Sequence, residues 1–328
     1  MLSQNNKNRI AYLGALTLLF SYAEMLLPRF IPFFRLGLGN IAILLAFDLN
    51  FPSFLLLTAI KAITSCLMSG TLFSPFFLIS LGQSVASGII MYLLALGNKK
   101  TGSKLLSIYG ISIAGSAVSA FIQIILSSLY LGSGTNALLG PMLLFSVFSG
   151  ILTAFLSFIM NIPQQAPVLI RNQQEVKKQP VIVIALAILI AAAAIFMLKN
   201  LIILTAALVI SLVMQKISGR KILLLPHISL WLFVIISSLF VPNGKVLYRL
   251  GSFSITQGAL IDGLTKSLKL SAVSALSQCA ASLRPSGNGI IPMVLAYFNG
   301  LSNVLRNNQG NIITRLKNTL NAAELTEK

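Results

Sequence analysis

Only six acidic side chains occur in 328 residues, against 24 Lys plus Arg and a hydrophobic share of 56%. A chain so composed lives in a bilayer. Its apolar residues are gathered into runs of roughly 18 or more, the length a helix needs to cross ~30 Å of hydrocarbon. Inside lipid every backbone amide needs a partner within its own segment. The runs mix Leu, Ile, Ala, Ser and Gly without strand-like alternation, so they read as helices and not as barrel strands. The expected fold is all-α and polytopic.

Ten crossings are predicted, over 10–27, 36–50, 54–69, 75–96, 104–131 and 137–160, then 181–198, 201–215, 222–242 and 259–283. Pro163, Pro167, Gln164, Gln165, Arg171, Glu175, Lys177 and Lys178 interrupt the apolar pattern between the halves. The expected organisation is a membrane domain over 1–160, a cytoplasmic linker over 161–180, and a second membrane domain with a basic helical tail over 181–328.

A net charge of +18 suggests nucleic acid at first sight, but the basic residues fall mostly between spans, where the positive-inside rule explains them. Lys7 and Arg9, Lys99 to Lys104, Arg171 to Lys178, Lys216 to Lys221 and the tail from Arg284 mark one side; Arg29, Arg35, Lys199, Lys245 and Arg249 mark the other. With an even number of crossings this places both termini in the cytoplasm and the chain in the plasma membrane. Anionic lipid of the inner leaflet is the expected partner of these charges, and nucleic acid is not. The first run has no small-x-small cleavage pattern and is followed by further spans, so it reads as the first helix and not as a signal peptide.

Hydrolysis, phosphoryl transfer and metal catalysis need carboxylates, histidines or thiols placed together. Here His227 is the single histidine, Asp48 and Asp262 are the only aspartates, and Glu24, Glu175, Glu324 and Glu327 complete the acids. Cys66 and Cys279 fall in predicted spans without metal-ligand spacing and read as small packing residues. No Gly-rich phosphate loop followed by Lys and Ser or Thr occurs. The expectation is a non-enzyme without cofactor or metal, energised by a partner or a gradient.

Ionisable residues in mid-membrane are costly and usually face a cavity or a partner. Glu24, Lys61, Lys266 and Lys269 qualify. Glu24 in the outer half of the first helix and Lys61 midway along the third can share an ion pair or polar pocket; alternatively Glu24 sits at the headgroups and Lys61 snorkels. Asp48 reads as a helix-end residue in water. Lys266 and Lys269 either snorkel, pair with Asp262, or take part in coupling. The stretch from Arg35 to Asn40, RLGLGN, puts a cation and an amide at the outer mouth, with two glycines that allow close backbone approach. Ala11 and Ala15 form a small-xxx-small face. Tyr22, Phe30, Phe33, Phe34, Phe73, Phe76 and Phe77 near the outer mouth either stack on a ring system or form an interface belt.

The order RIAYLGALTLLFSYAEMLLP, RLGLGNIAILLAF, then IKAITSCLMSGTLFSPFFLISLGQSVASGIIMYLL resembles the Gx transporter family, also known as heptaprenyl diphosphate synthase component I, over residues 9–160. That family is similar to the substrate-binding S components of energy-coupling factor transporters. The resemblance implies a six-helix module that captures a vitamin, flavin or isoprenoid precursor, with Glu24, Arg35, Asn40, Lys61 and Gln123 as substrate-binding residues. It also implies that Ala11 and Ala15 dock a transport partner. Where family members carry a His-Asn pair in the fifth helix, this chain has Ser119 and Ala120, with Gln123 retained. The Asp-rich motifs by which prenyl diphosphate synthases hold magnesium diphosphate are missing, so the enzymatic name implies at most a noncatalytic subunit.

Gly244 to Gln278, GKVLYRLGSFSITQGALIDGLTKSLKLSAVSALSQ, resembles the transmembrane T component of the same transporters. Thr256 would cap a helix starting near Gln257, and Lys269 stands where that family has arginine. The Ala-Arg coupling motifs do not occur after residue 284. Arg284, Arg306, Arg315 and Lys317 on predicted helices over 289–306 and 311–325, joined by a turn at Asn307 to Gly310, either grip cytoplasmic ATP-binding cassette ATPase subunits or lie with their helices on the inner leaflet. Three readings follow. One is a transport protein binding a small organic molecule; another is a noncatalytic membrane subunit of a prenyl diphosphate, quinone-related or redox assembly. The third is a scaffold.

Overall fold

The computed structural model describes residues 4–26, 36–101, 106–160, 166–170, 181–250, 253–280, 289–322 and 324–326. These form α1 Gln4–Leu26, α2 Asn40–Leu44, α3 Phe51–Ser69, α4 Pro75–Thr101, α5 Ile108–Leu131, a 3-10 turn Ser133–Leu138, and α6 Leu139–Met160. The second half forms α7 Val181–Met197, α8 Leu201–Ile217, α9 Leu224–Leu239, α10 Gln257–Ala280, α11 Ile290–Asn307 and α12 Ile312–Leu320. Strands β1 Val168–Ile170 and β4 Glu324–Thr326 pair in parallel, and β2 Val246–Leu250 pairs antiparallel with β3 Phe253–Thr256. The protein is an all-α helical membrane protein. Among the described residues α3, α4, α5 and the unit Ser133–Met160 are each long and apolar enough to cross a bilayer, and α7, α8 and α9 are shorter apolar helices.

Local chemistry sets the helix ends. Asn50 accepts from Ser53 N at the start of α3, with Pro52 in the first turn, and Gly70 closes that helix in the left-handed region at φ +68°. Ser107 caps α5 and Asn200 caps α8 in the same way. Polarity across the helices is inverted relative to a water-soluble bundle. On α6, Leu144 and Phe158 are each 77% exposed while Ser146, Ser149, Thr153 and Ser157 are buried. Apolar side chains face lipid and hydroxyls face inward, as a hydrocarbon solvent requires.

The first half closes into a ring: α1 packs on α3, α3 on α4, α4 on α5, α5 on α6, α6 on α2, and α2 back on α1. The crossing predicted over 36–50 needs correction, because only Asn40–Leu44 is helical and turns follow it. The segment still runs the length of α1. Its start is held by Glu24 and its end by Arg9, which pairs with Asp48 at 2.7 Å; these two partners are separated by about 22 Å of helix rise. A continuous helix is not needed here because α1, α4 and α6 supply side-chain partners for the backbone. Asp48, expected as a helix-end residue in water, is 44% exposed and is also half of an ion pair.

In the second half α10 is the centre, packed on α7, α8 and α9. Its polar side chains cap the ends of three other helices. Lys266 Nζ donates to Leu131 O at the end of α5 (2.9 Å), Lys269 Nζ to Phe196 O at the end of α7 (2.8 Å), and Gln278 Nε2 to Ser69 O at the end of α3 (2.7 Å). A cation near the negative end of a helix dipole is favourable as well as hydrogen-bonded. Ser277 adds an acceptor for Phe73 N, and Trp231 donates to Ser271. The segment before α10 forms the β2–β3 hairpin. Helix α10 begins at Gln257 as expected, while the Thr256 hydroxyl accepts from Asn243 N.

The tail does not lie apart. Helix α11 packs along α1, with Val294 against Gly14, an edge-on Tyr12–Tyr297 pair at 5.9 Å and a Tyr22–Phe298 pair at 6.3 Å. The Tyr297 hydroxyl donates to Pro167 O just before β1, and burial pushes its phenol up, so it remains a donor. The predicted helix over 311–325 ends instead at Leu320, because the chain beyond it returns as β4 beside β1, with Leu325 fully buried.

A side chain on Gly150 would place its Cβ 2.6 Å from Ile113 Cα, so α5 and α6 touch backbone to backbone there. Gly150→Val is expected to lower stability by about 1–3 kcal/mol through overpacking, read as an earlier thermal midpoint in detergent. Gly97→Ala, which meets no atom within 4 Å, should leave that midpoint unchanged or raise it.

Candidate functional site

The ring of the first half encloses a cavity of ≈ 90 Å³ lined from all six of its members. From α1 come Ser21 and Glu24; from the following segment Gly37, Gly39 and Asn40; from α3 Lys61, Ala62 and Ser65. Helix α4 contributes Ser80, Gln83, Ser84 and Ser87, α5 contributes Ser116, Ser119, Ala120 and Gln123, and α6 contributes Met142, Phe145, Ser146 and Ser149. The hydroxyls recur every three or four residues on α4, α5 and α6, so each of these helices turns one polar stripe inward and leaves apolar residues for lipid.

The segment 36–40 is the most tightly held part of the wall. Glu24 Oε1 accepts from Gly37 N at 3.3 Å and Oε2 from Leu38 N at 3.1 Å. Leu36 O accepts from Ser149 Oγ at 2.5 Å, and Lys61 Nζ donates to Asn40 Oδ1. Gly37 sits at φ +69°, a conformation that favours glycine. At Gly39 a Cβ would lie 2.7 Å from Ser21 Oγ and 3.2 Å from Thr17 O, so only glycine lets this backbone lie against α1. The two glycines of RLGLGN therefore serve two separate geometric needs. Glu24 faces both ways, bracing the loop through its oxygens and bordering the cavity.

Ser65 on α3 carries a hydroxyl that is buried and has no hydrogen-bond partner among the described residues. A buried unsatisfied hydroxyl costs on the order of 1–3 kcal/mol. Its place in the cavity wall means that a bound solute or water can supply the missing partner.

Glu24, Asn40, Lys61 and Gln123, singled out from the sequence, all line this one cavity. Arg35 and Arg284 lie outside the described residues. Ala11 and Ala15 are both fully buried. At 100° per residue they fall on the arc of α1 between Gly14 and Tyr12, both of which touch α11, so the small-residue face is covered by the chain's own tail. Arg315 donates through Nε and Nη2 to Leu305 O and so caps the end of α11, whereas Arg306 is exposed. Lys269 is spent on Phe196 O, as described above. Of the aromatic residues expected at the mouth, Tyr22 packs on Phe298, Phe73 lies against the second bundle and Phe76 packs near Leu131. None of the described ones lines the cavity, where the aromatic residue is Phe145. Phe30, Phe33 and Phe34 lie outside the described residues. The serine stripes were missed in the sequence; the spacing of Ser80, Ser84 and Ser87, of Ser112, Ser116 and Ser119, and of Ser146, Ser149, Thr153 and Ser157 was the available signal. No group of three or more His, Cys, Asp or Glu that could hold a metal occurs among the described residues.

Glu24→Leu leaves two amides in the wall without an acceptor and is expected to cost on the order of 2 kcal/mol or more. Asp48→Asn removes an exposed ion pair and should cost less than about 1 kcal/mol. Thermal midpoints of the two variants in the same detergent check the contrast.

Residues 179–281, which take in α7 to α10, match a family model described as a domain of unknown function (DUF8519). Neither the curated proteins nor the solved structures contain a match to the chain. Residues 13–160 match the family model described as heptaprenyl diphosphate synthase component I. That stretch covers nearly the whole ring and every cavity-lining residue, so it is the first half of this membrane protein that is similar to the heptaprenyl diphosphate synthase component I family.

Proposed function

We propose that this protein is a membrane transport protein of energy-coupling-factor type, in which the first bundle binds a small organic molecule and the second half transmits conformational change to it. The observation that carries the reading is the cavity itself. Six segments with apolar outer faces close around a space bordered by one ammonium, one carboxylate and a set of hydroxyls. Buried ionisable groups of this kind are expensive in a membrane and mark substrate routes. A packing role alone does not call for polar side chains from every member of the ring.

The second support is mechanical. Glu24 and Ser21, which border the cavity, stand on the same helix that α11 grips through Tyr297, Val294 and Phe298. A displacement of the tail therefore bears directly on the cavity wall. Cytoplasmic ATP-binding cassette subunits acting on the tail would drive that displacement, with exposed Arg306 and Lys317 as their contacts and both termini in the cytoplasm. Arg315 would hold α11 and α12 together during the motion.

The name of the matched family favours a second reading, a noncatalytic membrane subunit of a prenyl diphosphate assembly. Affinity purification of the tagged protein in mild detergent, with mass spectrometry of partners, separates the two. Copurified ATPase subunits support transport, and a prenyl synthase without any ATPase overturns it. In reconstituted vesicles carrying those subunits, Lys61→Met is expected to abolish ligand binding. Tyr297→Ala should preserve binding but reduce ATP-dependent uptake by about tenfold or more, since losing a buried aromatic contact and its hydrogen bond uncouples α11 from α1.

A further inference from the structure

The cavity also constrains what it can hold. We propose that its solute is small, polar and net neutral, a zwitterion or polyol no larger than about one six-membered ring, and neither a flavin nor a prenyl diphosphate. This rests on the transport reading above and deepens it.

Size gives the first limit. The space of ≈ 90 Å³ is smaller than the ~150 Å³ that accommodates one benzene molecule in a protein core. Fused aromatic ring systems do not enter it without displacing the wall, and the wall is braced where it would have to give: Glu24 holds Gly37 and Leu38, and Ser149 holds Leu36.

Charge gives the second. Among the described residues the lining contains one cation, Lys61, and one anion, Glu24, so the described wall is balanced. A diphosphate would bring several negative charges against a single ammonium and beside a carboxylate, and charge buried without compensation is strongly disfavoured. A zwitterion finds a partner for each end, and a polyol needs neither.

Hydrogen-bond chemistry gives the third. Serine hydroxyls from α1, α3, α4, α5 and α6, with Asn40, Gln83 and Gln123, present both donors and acceptors. Among the described residues the apolar side chains of the lining are Ala62, Ala120, Met142 and Phe145, too few to line a channel for an isoprenoid chain. The Ser65 hydroxyl is buried and unpartnered among the described residues, and a hydrogen-bonding solute satisfies it where a hydrocarbon one leaves it as it is.

The test uses the full-length protein in lipid nanodiscs, with saturable thermal stabilisation as the readout. One panel holds the proteinogenic amino acids, glycerol, erythritol and inositol; the other holds riboflavin and isopentenyl diphosphate. At least one member of the first panel is expected to bind and none of the second. Ser65→Ala should weaken that binding by about fivefold to tenfold, the worth of one hydrogen bond, while the ligand-free midpoint stays the same or rises. Binding of riboflavin or isopentenyl diphosphate overturns the proposal but leaves transport standing. Binding from neither panel overturns both, and an unaltered affinity in Ser65→Ala overturns the hydroxyl argument and with it the proposal.

Discussion

A peptide or hydroxyl group taken into hydrocarbon without a partner costs several kcal/mol, and most of the specific side-chain contacts in this protein answer that cost. Helix α10 shows it most directly. Lys266, Lys269 and Gln278 each reach the terminal turn of another helix, so that the exposed carbonyls of α5, α7 and α3 find donors on one central element. The contacts to α5 and α3 also join the second half to the first. Helix α10 is more polar than its neighbours because its position in the middle of the bundle requires donors, and that polarity is tolerable because α7, α8 and α9 shield it from lipid.

The same constraint shapes the cavity. The segment 36–39 abandons regular helix inside the ring, which is permitted only where side chains replace the lost backbone bonds. Glu24 and Ser149 make those replacements, and Gly37 and Gly39 allow the backbone to come close enough. What results is a polar wall that is stiff on the α1 and α6 sides. On the transport function proposed above, such a wall would move as a unit when α11, which lies along α1, is displaced.

Much of the fold was legible in the sequence because hydrophobic runs of membrane length have few alternatives in lipid. Helices α3 to α6 and the short apolar helices of the second half fall where the runs and breaks put them, and α10 starts at Gln257, where the resemblance to the T component put it. The crossing over 36–50 was misread in form, since an apolar run of that length does not reveal that its backbone partners come from Glu24, Ser149, Tyr92 and Lys99. The end of the tail was misread for the same reason: β4 exists because β1 lies beside it, a pairing across the linker that no local pattern encodes. Lys266 and Lys269 offered three readings, and the structure selects a fourth, the capping of distant helix ends.

The sequence by itself determined that this chain is a helical membrane protein, where its helices lie and which few ionisable residues enter the bundle, because hydropathy and length act locally. Tertiary structure alone decided that Glu24, Asn40, Lys61 and Gln123 border a single space, that three serine stripes face it together, and that α11 covers the Ala11 and Ala15 face. Those are matters of which helix sides meet, and a periodic stripe states only that one side differs from the other, not what it faces.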